Sequence, residues 1–200
     1  MQSLNYPFEY GELSNSQKQA VITLVEKRGK DKRQIKNWRP ISLINVDAKI
    51  ASKTLARRLE NVLHEIIHFD QSAFVKGRTI FDAIRTIDDA IEHTMNRDIS
   101  GILVAIDFEK AFDSLNFNFL LRVLHAFNFG PSFIKWVRVL YNKVSSCVMN
   151  NGFTSGSFSL SRGVRQGDPL SPYLFILALE ILAIKIRNDN NIQGTRIENC

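Results

Sequence analysis

Five aliphatic residues in a row, Ile102 to Ile106, run straight into Asp107 in the stretch "ILVAIDFEKAFDSLNFNFL". A continuous apolar run of this length is what a strand buried on both faces requires. The pattern predicts a strand over 102–106 that carries a carboxylate at its end, held rigidly and facing an open cleft. Hard divalent cations take oxygen ligands, and magnesium commonly combines few protein carboxylates with substrate phosphates. Asp107, with the backbone carbonyl of Phe108 beside it, is therefore a candidate metal ligand. The same aspartate reads equally as the cap of a helix that begins near it. Asp113, just before Ser114 and Leu115, reads as an N-cap.

The rest of the chain surrounds this segment with mixed α and β signals. A β-rich apolar run marks a strand over 19–27, after irregular chain over 1–17. Helical periodicity predicts a helix over 47–67 with Asp47 as N-cap. A second, from about Thr79 to Met95, has Ile80, Ile84, Ile87 and Ile91 as its buried stripe. Residues 114–127 read as a helix, and Pro131 opens another at its first turn. Asn151-Gly152 is a strong hairpin signal. Ser171-Pro172 reads as an N-cap followed by an N1 proline, starting a helix to about Ile186. That helix is apolar on most faces, so it is expected to cross beneath a sheet. The fold class is α+β, and no Pro/Gly-rich linker divides it.

Composition narrows the function. The chain has 200 residues, 44% of them hydrophobic, enough for one sizeable core or two small lobes. The formal charge is +6, and both halves share the excess, which suits a polyanionic partner. Two cysteines, Cys147 and Cys200, make no disulfide framework, and no Cys/His spacing resembles a zinc site, so an intracellular, reducing home is expected. The longest apolar-rich run contains Glu180 and Lys185 and is too short and charged for a membrane span. No Walker sequence is present, which disfavours a P-loop ATPase.

Two further segments carry candidate chemistry. Seven basic residues lie between Lys27 and Arg39 against one acid, Asp31. They read either as a solvated surface or as a jutting hairpin whose Lys30, Lys32, Arg33 and Lys36 neutralise phosphate. In "RGVRQGDPLSP", glycines permit close approach of a ligand to the backbone, and Gln166 offers a donor and an acceptor. Arg162 and Arg165 could meet phosphate there. The alternative is a loop leading into a helix, with Asp168 used structurally.

Four segments in order, "NWRPISLIN", "QSAFVKGR", "AIDFEKAFDSL" and "RGVRQGDPLSPYLF", together resemble reverse transcriptases of retrotransposons without long terminal repeats. The similarity covers roughly Lys18 to the end. It implies a right-hand polymerase fold: a fingers-like region over 18–98, with its basic loop and two helices, and a partial palm over 99–200. It implies that Arg39 helps hold the triphosphate of the incoming nucleotide and that Gln71, Gly77 and Arg78 belong to the next fingers segment, with Arg78 near nucleic acid. Asp107 matches the first catalytic aspartate. Phe112 matches the aromatic sugar gate, where its residue type alone would read as core. Gln166 and Gly167 match the residues that approach the incoming nucleotide.

The same resemblance implies an RNA template, a DNA primer, deoxynucleoside triphosphates and Mg²⁺, with Mn²⁺ able to replace it. It implies action in the nucleus, with the cytoplasm as the other compartment left open, no membrane, and no particular oligomeric state. The family's paired-aspartate hairpin and its thumb are absent from the sequence, and the hairpin is expected shortly after Cys200. The 200 residues alone are therefore expected to be inactive, and a nucleic-acid-binding remnant or a related intron-encoded maturase-type enzyme are the competing readings.

Overall fold

The computed structural model describes residues 2–195 and opens on two helices, α1 (Gln2–Tyr10) and α2 (Asn15–Lys18), where the sequence predicts irregular chain. The reason is tertiary. Phe8 stacks on Trp136 with ring centroids 5.1 Å apart, and Lys135 Nζ lies 4.5 Å over the Phe8 ring. Ser14 and Gln17 then form a capping box that starts α2.

Strands β1 (Gln19–Glu26) and β2 (Trp38–Ile44) pair antiparallel around the basic loop, as the sequence predicts, with a 3₁₀ turn at Ile35–Asn37. β3 (Ser145–Asn150) adds to the free edge of β1 in parallel, Ala20 facing Ser146. The short β4 (Phe153–Thr154) and β5 (Phe158–Ser159) pair with the other edge of β3. Asn151 and Gly152 both take positive φ, 50° and 80°, which gives the tight turn expected of them.

Most of the remaining helix starts follow from caps and breakers. α3 (Val46–Glu60) is capped by Asn45, whose side chain accepts from Asp47 N at 2.9 Å, so Asp47 lies inside the first turn. The expected single helix over 47–67 splits into α3 and α4 (Leu63–Ile66). α5 (Ile80–Asn96) begins at a Thr79–Asp82 capping box. The predicted helix over 114–127 becomes α6 (Ala111–Ser114) and α7 (Phe117–Ala126), the latter capped by Asn116. α8 (Pro131–Tyr141) starts on its proline, and α9 (Ser171–Arg187) starts at Ser171 with Leu170 in the cap position.

The core is helical. Leu55 and Leu59 of α3, Leu124 of α7, Leu140 of α8 and Leu174 and Leu177 of α9 meet in one buried cluster. α9 therefore packs against α7, α3 and α6 instead of running beneath the sheet. None of its described helices is long and apolar enough to cross a membrane.

Two expectations fail for one reason. Residues 101–108 take no strand pairing, and Ile102 is 92% exposed. The isoleucines of α5 are exposed too, Ile80 by 64% and Ile87 by 42%. Apolar periodicity shows which face wants cover but not whether cover is present, and a strand exists only through a neighbour's hydrogen bonds. Among the described residues, no strand pairs with 102–106.

Candidate functional site

The loop from Arg162 to Asp168 joins two regions that are far apart in sequence. At one end Gly163 N donates to Leu115 O and Val164 N to Phe112 O, each at 2.7 Å. These bonds dock the loop on the turn that follows Asp107. Gly163 has φ +89°, and a Cβ there would come within 2.9 Å of Asp113 Cα and O, so only glycine allows the approach. At the other end Ser42 N donates to Gln166 O at 2.8 Å, and Gly167, at φ +105°, lies against Ser42 O. Strand β2, the 107–115 segment and the loop thus share one cleft of about 320 Å³, with Pro40, Ser42, Asp113, Arg162 and Gln166 among its lining residues.

Asp107 is exposed and lies in irregular chain ahead of the Glu109-Lys110 turn, so it does not end a buried strand. Lys110 takes φ 52°, and its carbonyl accepts from Asp113 N and Ser114 N at 2.9 and 3.1 Å. Asp113 is thereby inside α6, and Lys110 takes the cap position expected of Asp113. Phe108 is 45% exposed, its ring edge-on to Phe175 at 6.5 Å. Phe112 is half-buried and packs on the same Phe175 at 5.3 Å, which makes α9 the support of this turn. Leu174 and Ile176 of the same helix pack inward.

The loop itself is anchored by Asp168, only 3% exposed. Its carboxylate accepts from the hydroxyls of Ser52 on α3 and Tyr141 on α8, the latter at 3.0 Å, and Ser171 Oγ lies 3.4 Å away. Leu170 N donates to Ser52 Oγ at 3.2 Å. This bears out the structural use of Asp168. The Tyr141 phenol is pushed well above its ordinary range, by burial first and then by the negative charge of Asp168.

The basic residues divide. Arg39 is exposed on β2 and has no ion-pair partner among the described residues, and Lys30, Lys36 and Arg162 are exposed as well. Lys32 pairs with Glu26 at 2.6 Å and Arg33 with Asp31 at 3.2 Å, both on the surface, where such pairs exchange readily. Asp31 is held below the usual carboxylate range by hydrogen bonds from Arg33, its backbone N–H first and then its side chain.

Two expected phosphate contacts are corrected. Arg165 is 4% exposed, its Nη2 donates to Leu140 O at 3.2 Å, and its guanidinium sits 5.8 Å over the Tyr141 ring. A buried cation at a helix C-terminus satisfies carbonyls there and cannot reach external phosphate. Its Nε and Nη1 are buried without a partner among the described residues. Arg78 likewise donates to the carbonyls of His68, Ile67 and Gln71 at 2.5, 3.0 and 3.0 Å. It closes the end of α4 and the loop after it, and its Nη groups are committed to that task.

The sequence reading missed Ser52, Tyr141 and Phe175, whose roles arise only from packing, and it gave Gly163 no role of its own. The glycine in "RGVR", next to a predicted close approach, was the one available signal.

Asp107 and the Phe108 carbonyl are two donors, fewer than a divalent cation takes. Among the described residues, no group of three or more His, Cys, Asp or Glu is placed to hold a metal. They do not form a complete metal site.

The reverse transcriptase (RNA-dependent DNA polymerase) family matches residues 25–196. A Xenopus laevis protein described as the transposon TX1 uncharacterized 149 kDa protein is 42% identical over 88% of this chain and 14% of its own length. The Pol polyprotein of the type-2 retrotransposable element R2DM from Drosophila melanogaster is 30% identical over 86% of the chain and 16% of its own. A probable RNA-directed DNA polymerase from transposon BS of the same fly is 25% identical over 79% of the chain and 18% of its own. The chain thus spans less than a fifth of the length of each.

Proposed function

Because the chain belongs to the reverse transcriptase family, we propose that it is the nucleotide-selecting part of an RNA-directed DNA polymerase of a retrotransposon without long terminal repeats. In this reading residues 18–98 act as fingers and residues from 99 onward as part of the palm. A DNA primer 3′-hydroxyl attacks the α-phosphate of a deoxynucleoside triphosphate opposite an RNA template, and pyrophosphate leaves. Arg39 and Gln166 would hold the incoming nucleotide, with Gly167 allowing close approach and Phe112 crowding a ribose 2′-hydroxyl. Lys30, Lys36 and Arg162 would meet backbone phosphate, with Lys32 and Arg33 available by exchange from their surface pairs. Asp107 would be one ligand of Mg²⁺, the other donors lying outside the described residues. Action in the nucleus, on chromosomal DNA, is part of the same proposal and rests on the retrotransposon relatives alone.

The observation that carries it is the convergence of β2, the 107–115 turn and the 162–168 loop on one cleft. Three segments spread over more than 120 residues meet there: β2 contributes Pro40 and Ser42, the 107–115 segment contributes Asp113, and the loop contributes Arg162 and Gln166, while Arg39 and Asp107 stand on the same segments outside the lining. The test is primer extension by a polymerase that contains this chain. Asp107→Ala should abolish incorporation while leaving template binding, and Phe112→Val should relax discrimination against ribonucleotides. Unchanged incorporation by Asp107→Ala would sink the assignment, and unchanged sugar selectivity would remove Phe112 from it.

A second reading rests on the exposed Lys30, Lys36, Arg39 and Arg162: nucleic-acid binding without catalysis. It predicts salt-sensitive primer–template binding with no rate for Asp107→Ala to change.

A further inference from the structure

We infer that Asp168 is the positioning residue of the site: it locks the 162–168 loop, and the loop in turn sets the spacing between β2 and the Asp107 turn. Asp168 has no place in the cleft itself. Its buried carboxylate instead draws together α3 through Ser52, α8 through Tyr141 and the start of α9 through Ser171 and Leu170 N, the last at 3.4 Å. Every partner is a hydroxyl or an N–H, able to donate to its oxygens. It also stands just ahead of the N-terminus of a 17-residue helix, where negative charge is favoured.

The loop's outer contacts are two-sided and made by backbone. Gly163 and Val164 hold the 112–115 turn, and Gln166 O holds Ser42 of β2, all within five residues of Asp168. Helix α3 follows β2 after Asn45, so the Ser52 bond to Asp168 and the Ser42 bond to Gln166 tie the same stretch of chain twice. A loop held only by two backbone hydrogen bonds at one end and one at the other would swing about its glycines, and Gly163 and Gly167 give it that freedom. The carboxylate removes it. Arg165 adds a second anchor to α8 through Leu140 O. The sequence places Arg165, Gln166 and Asp168 within four positions, so one buried group fixes both the loop's inward anchor and its outward Gln166.

The lock is a statement of geometry, while its consequence for nucleotide binding rests on the polymerase reading above. The experiment is amide hydrogen exchange on the 200-residue chain at Ser42, Gly163 and Val164, the three donors of the outer contacts. Asp168→Ala is compared with Leu124→Ala, a core truncation outside the network, at urea concentrations that match their stabilities. A positioning role predicts exchange roughly ten-fold faster at those three amides in Asp168→Ala, the factor expected from losing a charge-assisted hydrogen bond. Asp168→Asn, which keeps oxygen and hydrogen-bonding capacity, should recover most of the protection. If Asp168→Ala does not fold, Tyr141→Phe removes one arm with the ring retained and should accelerate the same three amides by a smaller factor. Equal exchange in the matched variants would make Asp168 a stability residue only and overturn the inference. In a polymerase containing the chain, Asp168→Ala should raise KM for deoxynucleotide more than it lowers kcat. Absence of incorporation by the parent polymerase would sink the functional reading and leave the exchange result standing.

Discussion

Gly163→Ala tests whether the loop approaches the Asp107 turn as closely as the site requires. The new methyl would lie 2.9 Å from Asp113 Cα and from Asp113 O, both backbone atoms that no side-chain rotation can move. The φ of +89° adds a conformational cost of about 1 kcal/mol for any residue with a Cβ. Relief of the clash requires the loop to lift, which gives up the Gly163–Leu115 and Val164–Phe112 bonds, each worth roughly 1 kcal/mol net. The expected loss is therefore about 3 kcal/mol, a large part of the roughly 5–15 kcal/mol a domain holds. Gly152→Ala is the control. It also has positive φ, +80°, but open space around the position, so only the conformational part, about 1 kcal/mol, applies. Urea unfolding of the two variants measures the difference. At a slope of about 2 kcal/mol per molar, Gly163→Ala should move the midpoint down by roughly 1.5 M and Gly152→Ala by about 0.5 M. Equal shifts would show that Gly163 makes no tight approach and that the loop does not dock on the 112–115 turn.

Further outcomes follow from the same geometry. Arg78→Ala should cost roughly 2 kcal/mol in urea unfolding through loss of charged hydrogen bonds to three carbonyls, and primer–template affinity should not fall with it. A selective loss of affinity would return Arg78 to the nucleic-acid surface. The Tyr141 phenol has its folded value raised above its unfolded value, so its contribution is complete below about pH 10 and lost as pH rises beyond it. Tyr141→Phe should flatten the alkaline fall in stability, and an unchanged fall would remove the phenol as its source. Ile84→Glu with Ile91→Glu should change unfolding stability by less than about 0.5 kcal/mol, because both side chains are exposed. Leu124→Ala in the buried core should cost about 2–5 kcal/mol.

Local chemistry was legible without coordinates wherever a residue type acts through its own backbone. The Asn151-Gly152 turn, the Pro131 helix start, the hairpin around the basic loop and the Thr79 start of α5 all lie where residue preferences put them. The four ordered segments likewise carried the family, since they join particular residues in a particular order that composition does not supply. The structural use of Asp168 was readable from its place ahead of a helix.

What the sequence could not determine was which surface finds a partner. Ile102–Ile106 and the isoleucines of α5 have the periodicity of buried elements and are exposed. Arg78 and Arg165 have the charge of phosphate ligands and spend it on backbone carbonyls. Burial, pairing and the fate of a charge depend on what other segments bring to within a few ångströms, and those segments lie tens of residues away. Periodicity and charge are written in the chain, whereas the neighbour that satisfies them is decided by packing. That is why Asp107 could be picked out by eye, while the Ser52–Tyr141–Asp168 anchor behind it became visible only in three dimensions.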